Sequence, residues 1–358
     1  MKAIKVDKFG SATSRLRLPV ELKVNGDDYI PQEGDVVVVK ALSESVTYGN
    51  LELPSGRLAK INRNDILAGV FGKRRALKGF VGDIPASVKA GDKLHLLNMG
   101  GLIGECKGHH SSYSDAIEVE VLGVAVDSNY EVLNIASNAL EPADCLAPSA
   151  PIIVVAGSSM HSGKTVAACE IIKQANQAGL NVAGAKMSGV AALRDTYNML
   201  DHGASEVASF LDCGLPSTVD MEDLAPVAKA ILNHLNESGP DLIVVELGDG
   251  ILGGYSVDTI LKDGEIRDAM ISLVFCTSDY VGIVGGRTVL NAFGLEIDVV
   301  AGSVTDSKMG EDYVREKLGI TAANAHRNGE QLFFLCYGAV SKLQPIPVER
   351  TSEIEITI

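Results

Sequence analysis

One stretch constrains this chain more than any other: Ile152-Ile-Val-Val-Ala-Gly157-Ser-Ser-Met-His-Ser-Gly163-Lys164-Thr165. Four β-branched residues in succession are apolar on both sides of an extended chain, which predicts a strand covered on both faces, as in a parallel sheet. The loop that follows is made of small residues around Met160 and His161. After it, Cys169, Ile172 and Ala175 recur at helical spacing, and Gly179 suits a left-handed helix end. A strand running through small residues into a helix that opens on Gly-Lys-Thr is the pattern of a phosphate-binding loop. Successive backbone N–H groups of Gly157, Ser158, Ser159, Met160, His161, Ser162 and Gly163 can point inward, Lys164 can reach the terminal phosphates, and Thr165 supplies a hydroxyl for Mg²⁺. The helix N-terminus adds its own positive field.

The residues after the loop alternate between strand and helix patterns. Strands are expected at Asn181–Lys186, Asp241–Glu246, Ser272–Cys276 and Asp298–Gly302. Between them, Leu224, Val227, Ile231 and Leu235 form one helical stripe, for which Asp220 is the expected cap. This reads as an α/β fold, a parallel-sheet P-loop NTPase domain, and ligands of such sheets bind at the carboxyl ends of the strands.

Five residues, not four, separate Gly157 from Gly163, and in this the loop resembles dethiobiotin synthetase and its relatives among the dimerising P-loop proteins. The likeness runs from about residue 150 to 318. The family's second strand ends in a Lys before a Ser-Gly loop, matched by Lys186-Met-Ser188-Gly189. Its later Mg²⁺-binding acid is matched by Asp195, and its Glu-Gly strand end by Glu246-Leu-Gly248. The run from Asp195-Thr-Tyr to Gly203-Ala204 also resembles the molybdopterin-guanine dinucleotide accessory protein. The resemblance implies Thr165, Asp195 and Glu246 around Mg²⁺, and by its chemistry Lys186 is the candidate to hold an anionic substrate or transition state opposite the γ-phosphate. By residue chemistry the same set suffices, because Mg²⁺ takes one or two carboxylates besides phosphate oxygens and water. Asp249 is a candidate supporting acid or base. The plain alternatives stay open: a solvated strand end for Glu246, a helix cap for Asp195, a surface ion pair for Lys186 and a Gly-Asp-Gly turn for Asp249. Asp306 is the candidate nucleobase contact, with a helix cap as its alternative, and ATP and GTP are both accommodated.

Upstream the texture differs. Pro142, Pro148 and Pro151 are three prolines within twelve residues, and before them Gly34–Val39, Gly91–Leu97 and Ala116–Ala125 are short alternating runs with turn signals. They predict a smaller β-rich, barrel-like domain over residues 1–148, ahead of the nucleotide domain at 149–337 and a C-terminal extension at 338–358 whose Ile354–Ile358 alternates like an edge strand. Every phosphate and Mg²⁺ candidate lies after residue 148, so that segment alone is expected to bind nucleotide. Lys73-Arg74-Arg75 and Lys78 form a basic spot, read either as a solvated loop or as help for an anionic substrate. Cys106, His109 and His110 have metal-ligand types but lack a partner cluster.

Charge bounds the partners: 46 acidic against 31 basic residues leave −15, which repels nucleic acid and anionic membrane. The first residues lack the apolar run of a leader, so a cytoplasmic protein is expected, and the six scattered cysteines read as structural thiols. The leading expectation is an ATP- or GTP-dependent ligase or phosphotransferase with a small anionic substrate. A homodimer is expected from the resemblance, with the Gly-rich segments 248–255 and 282–286 at its interface. A nucleotide-hydrolysing accessory protein and a P-loop amino-acid N-acyltransferase are the competing classes.

Overall fold

A computed structural model describes residues 1–341 of the chain. In the N-terminal half, ten strands join one mixed sheet, and five of them close into a ring. Glu118–Val126 pairs with Val36–Ala41, which pairs with Ile66–Phe71, then Leu102–His109, then Lys93–Leu96, which returns to Glu118–Val126. Closure removes the open edges that such strands would otherwise expose. It also explains four consecutive buried valines. Val37 and Val39 point into the barrel with Leu67, Phe71 and Ile103, whereas Val36 and Val38 point outward into a core shared with the rest of the molecule.

Among the described residues the C-terminal half forms a six-stranded sheet, parallel throughout, in the order Glu206–Ser209, Val182–Ser188, Leu242–Leu247, Ile152–Gly157, Met270–Cys276, Val299–Ala301. The apolar run at 152–155 is split by its pleat. Ile152 and Val154 face the helices Ala225–Asn236 and Tyr280–Ala292. Ile153 and Val155 face the helices Lys164–Gln177 and Gly329–Ser341. The first of these last two helices ends as its sequence suggests, at Gly179 with φ +85°, where Leu180 N–H reaches back to Ala175 O at 3.1 Å. The fold is therefore α/β, a P-loop-type parallel sheet preceded by a β-barrel.

Two local expectations change. Asp220 does not cap the helix at Ala225–Asn236; Asp223 accepts from Ala225 N–H at 2.9 Å instead. Asp220 sits at φ +58° and turns its carboxylate to Arg75, 3.2 Å away. The expected boundary at 337 falls inside the last helix, because Leu332 and Cys336 on that helix bury against the phosphate-loop helix. The edge-strand reading of Ile354–Ile358 lies outside the described residues. Gly282 and Gly286 pack within the chain, where a Cβ would fall 2.1 Å from Thr277 Oγ1 and 2.3 Å from the Phe275 ring. Cys169, Cys213, Cys276 and Cys336 are buried free thiols. Among the described residues no helix is long and apolar enough to cross a membrane.

Candidate active site

The phosphate-loop strand ends at Gly157, where a side chain has no room: a Cβ would sit 2.6 Å from Ser162 Oγ and 2.7 Å from Cys276 O. The loop then turns over Ser158–Ser162, with His161 held at φ +62° and Gly163 at φ +98°. Gly163 backs onto Gly302 so closely that its Cβ would lie 2.8 Å from the Gly302 Cα. Glycine is thus required at both ends of the loop, by contact at one and by contact and backbone conformation at the other.

Lys164 opens the helix with a buried ammonium that donates to Ser159 O at 2.8 Å. Burial, reinforced by the charge of Lys186, lowers its pKa against the pull of Glu246. Thr165 Oγ1 donates to Glu246 Oε1 at 2.9 Å, and Lys186 Nζ donates to the same oxygen at 2.6 Å. Lys186 also pairs with Asp195 at 2.8 Å. Burial opposes its charge, yet the two carboxylates outweigh burial and raise its pKa. The same Lys186 charge holds Asp195 below its ordinary range. Three parallel-strand ends, at Gly157, Lys186–Ser188 and Glu246–Leu247, therefore deliver the candidate residues to one place.

The donor set fits Mg²⁺ and phosphate. Glu246 is 1% exposed, and its Oε2 has no hydrogen-bond partner among the described residues; Ser162 Oγ is likewise buried and unpartnered. Hydroxyl and carboxylate oxygens beside a phosphate cradle are what Mg²⁺ accepts, since it keeps several waters and phosphate oxygens in its shell. No group of three or more His, Cys, Asp or Glu side chains able to hold a metal occurs among the described residues. His109 instead meets Asp115 at 3.1 Å, and His110 meets Ser112 at 2.7 Å.

Asp306 lies elsewhere. It is exposed and accepts from Asn324 Nδ2 at 2.9 Å, while Ser307 rather than Asp306 caps the helix Lys308–Lys317. It connects to the loop through the short segment that begins at Gly302.

The cleft over the site has a volume of about 480 Å³ and draws its walls from both halves. From the C-terminal half come Met160, His161, Lys164, Thr165, Lys186, Asp195, Glu246 and Asp249. Tyr48, Arg74, Asn98 and Met99 come from the N-terminal half, and Tyr255 completes the lining. Asp249 stands at φ +62°, between Gly248 and Gly250, whose Cβ positions would collide with Ser188 O and Ser158 O at 2.1 and 2.4 Å. Burial raises its pKa, against the field of Lys164. The barrel also touches the loop directly, for Lys78 N–H points at Met160 Sδ over 3.1 Å. Tyr48 and Asn98 carry no motif that a sequence reading could use. Arg74 was visible only as part of a basic spot.

No family model matches the chain. No curated protein matches it. Solved structures show a distant likeness. The cell division protein FtsY from Thermotoga maritima gives a TM-score of 0.38 at 16% identity, covering 56% of this chain and 71% of that one. The signal recognition particle 54 kDa protein from Aeropyrum pernix, in complex with GDP, gives 0.37 at 16%, covering 59% and 50%. A DUF1611 family protein from Anabaena variabilis gives 0.37 at 13%, covering 57% and 63%. Likeness at this level decides neither nucleotide nor substrate. The architecture rests on the chain's own strand order and loop.

Proposed function

We propose that this chain is a Mg-nucleotide-dependent enzyme that passes the terminal phosphoryl group of ATP or GTP to a small carboxylate, carbamate or amine, in the manner of dethiobiotin synthetase. The observation that carries this reading is the gathering of Thr165, Lys186, Asp195 and Glu246 beside buried Lys164, on the floor of a cleft walled by both halves. The loop N–H groups and Lys164 hold the β and γ phosphates. Thr165 and Glu246, with Asp195 behind Lys186, are the residues to hold Mg²⁺, which supplies charge neutralisation on the phosphates when bound. As the acceptor atom bonds to the γ-phosphorus, the bridging oxygen leaves with the bond electrons toward the nucleoside diphosphate. Lys164 and Lys186 offset the charge that develops. An amine acceptor must lose a proton, and Asp249 lines the same cleft.

The test is nucleotide turnover screened against small carboxylates, carbamates and amines. At least one acceptor is expected to accelerate turnover, and Lys164→Ala to reduce it by about 100- to 1000-fold with the fold intact. Undiminished turnover in the variant overturns the reading.

One observation favours a second reading, a nucleotide-driven accessory protein. The N-terminal half grips the segment leading to Asp195: Glu52 accepts from Leu193 N–H at 2.7 Å, and Asn98 donates to Ala191 O at 2.9 Å. Nucleotide state would then be passed to the barrel. Turnover raised by a protein partner and by none of the small acceptors would select this reading.

A further inference from the structure

The basic run Lys73-Arg74-Arg75 divides when it folds. Arg74 and Arg75 form a short strand against Phe80–Asp83, and successive side chains of a strand point to opposite faces. Arg75 goes to Asp83 at 2.6 Å and to Asp220 at 3.2 Å. Lys73 lies 3.8 Å from Asp220. Arg74 points the other way, into the cleft above the phosphate loop, and has no carboxylate in ion-pair contact among the described residues.

Its surroundings are those of a charge held ready. Arg74 is 5% exposed. One terminal nitrogen donates to Leu97 O and the other to the Tyr48 hydroxyl at 2.9 Å. Nε has no partner among the described residues. The guanidinium also lies 4.9 Å from the centre of the Tyr48 ring, which offsets part of its desolvation. A guanidinium stays protonated at any physiological pH, and an unpaired buried charge is costly. Among the described residues two other cations line the cleft without a carboxylate in ion-pair contact: Arg194, which is exposed, and buried Lys164, whose natural partner is phosphate.

We propose that Arg74 is the receptor for a carboxylate on the small substrate, held by the barrel wall while the reacting end faces the phosphate loop. The inference rests on the phosphoryl-transfer reading and adds the chemical class of the acceptor. A carboxylate fits better than a second phosphate. Two of the five guanidinium donors are already engaged, leaving a limited edge for a planar two-oxygen group, and Tyr48, Ala76 and Met99 make the surrounding wall largely apolar.

The experiment uses the full chain loaded with Mg²⁺ and a non-hydrolysable nucleotide. Acetate, succinate and glutarate are titrated by calorimetry, with neutral succinamide as control. The wild type is expected to bind at least one acid and to ignore the diamide. Arg74→Gln should weaken acid binding at least 30-fold while nucleotide affinity changes less than twofold, and Arg74→Lys should fall between. Should Arg74→Gln misfold, Arg74→Lys and the acid–diamide comparison on the wild type still decide. Nucleotide binding without any acid binding, or acid binding indifferent to Arg74, overturns this inference alone. A wild type that binds no Mg-nucleotide overturns the underlying reading and this inference with it.

Discussion

Lys186 is the residue on which the site's electrostatics turn, because its single ammonium is paired with both Asp195 and Glu246. Removing one partner of a buried ionic group leaves the others uncompensated, which typically costs about 3 to 5 kcal/mol. Lys186→Met should therefore destabilise the protein by about that much in urea titrations. The double variant Lys186→Met/Glu246→Gln should recover a large part of the loss, since one of the two stranded charges is gone. A loss below about 1 kcal/mol in the single variant would show that the cluster is not ionic. Glu33 gives a pH-dependent counterpart. Burial, against the pull of Lys73, raises its pKa from the ordinary 4.5 to about 7, and one of its oxygens is buried without a partner. Between those values the folded state keeps a proton that the unfolded state releases, so this residue's contribution to stability falls as pH rises from 4.5 to 7. Glutamine imitates the protonated acid. Glu33→Gln should be neutral below pH 4.5 and stabilising above pH 7, by no more than about 3 kcal/mol; denaturation curves at both ends of the range check it.

At the scale of elements, the phosphate-loop strand and its helix were legible because β-branched runs, helical spacing and Gly179 all point the same way. The Glu246 and Lys186 strands were legible for the same reason. Local pattern could not reveal which carboxylate caps which turn. Asp220 and Asp223 look alike in sequence, and only the docking of Arg75 draws Asp220 away. Nor could it reveal that Arg74 and Arg75 part company, since that depends on the hairpin with Phe80–Asp83 and on what lies above each face. Glycine illustrates the same limit. Gly302 and Gly285 are equal in sequence, but a Cβ at Gly302 would lie 2.1 Å from Ser162 O at φ +83°, whereas at Gly285 it meets nothing within 4 Å. Gly302→Ala should displace the phosphate loop and weaken nucleotide binding at least tenfold in a calorimetric titration. Gly285→Ala, within the helix Tyr280–Ala292, should instead stabilise by about 0.5 to 1 kcal/mol, because it removes unfolded-state freedom without strain.

At the scale of the whole molecule, the change of texture near residue 148 marks where one sheet type gives way to another, but composition carries no information about how the two meet. They meet through a continuous core: Val36, Val38, Val70 and Leu102 on the outer barrel face belong to the same buried cluster as Ala191, Phe210 and Leu211. Polar clamps run alongside it, from Arg15 to Asp212 at 2.6 Å and from Tyr197 to Pro54 O at 2.9 Å. The segment carrying Asp195 is held from the barrel side by Glu52 and Asn98. Sequence reasoning treats residues from 149 onward as self-sufficient, because every candidate phosphate contact lies there. The shared core argues otherwise. A fragment beginning at Ser149 would expose the apolar surface that Phe210 and Leu211 now bury, at about 25 cal/mol for each Å² uncovered, and would release the backbone that places Asp195. It is expected to unfold with a broad, low-temperature transition and to bind Mg-nucleotide at least tenfold more weakly than the full chain. Adding the separately expressed 1–148 segment should restore part of that affinity. A fragment that melts cooperatively at the full chain's temperature and binds with the full chain's affinity would show that the barrel is a passenger on an independent nucleotide-binding unit, and that the grip of Glu52 and Asn98 on the Asp195 segment does not contribute to the site.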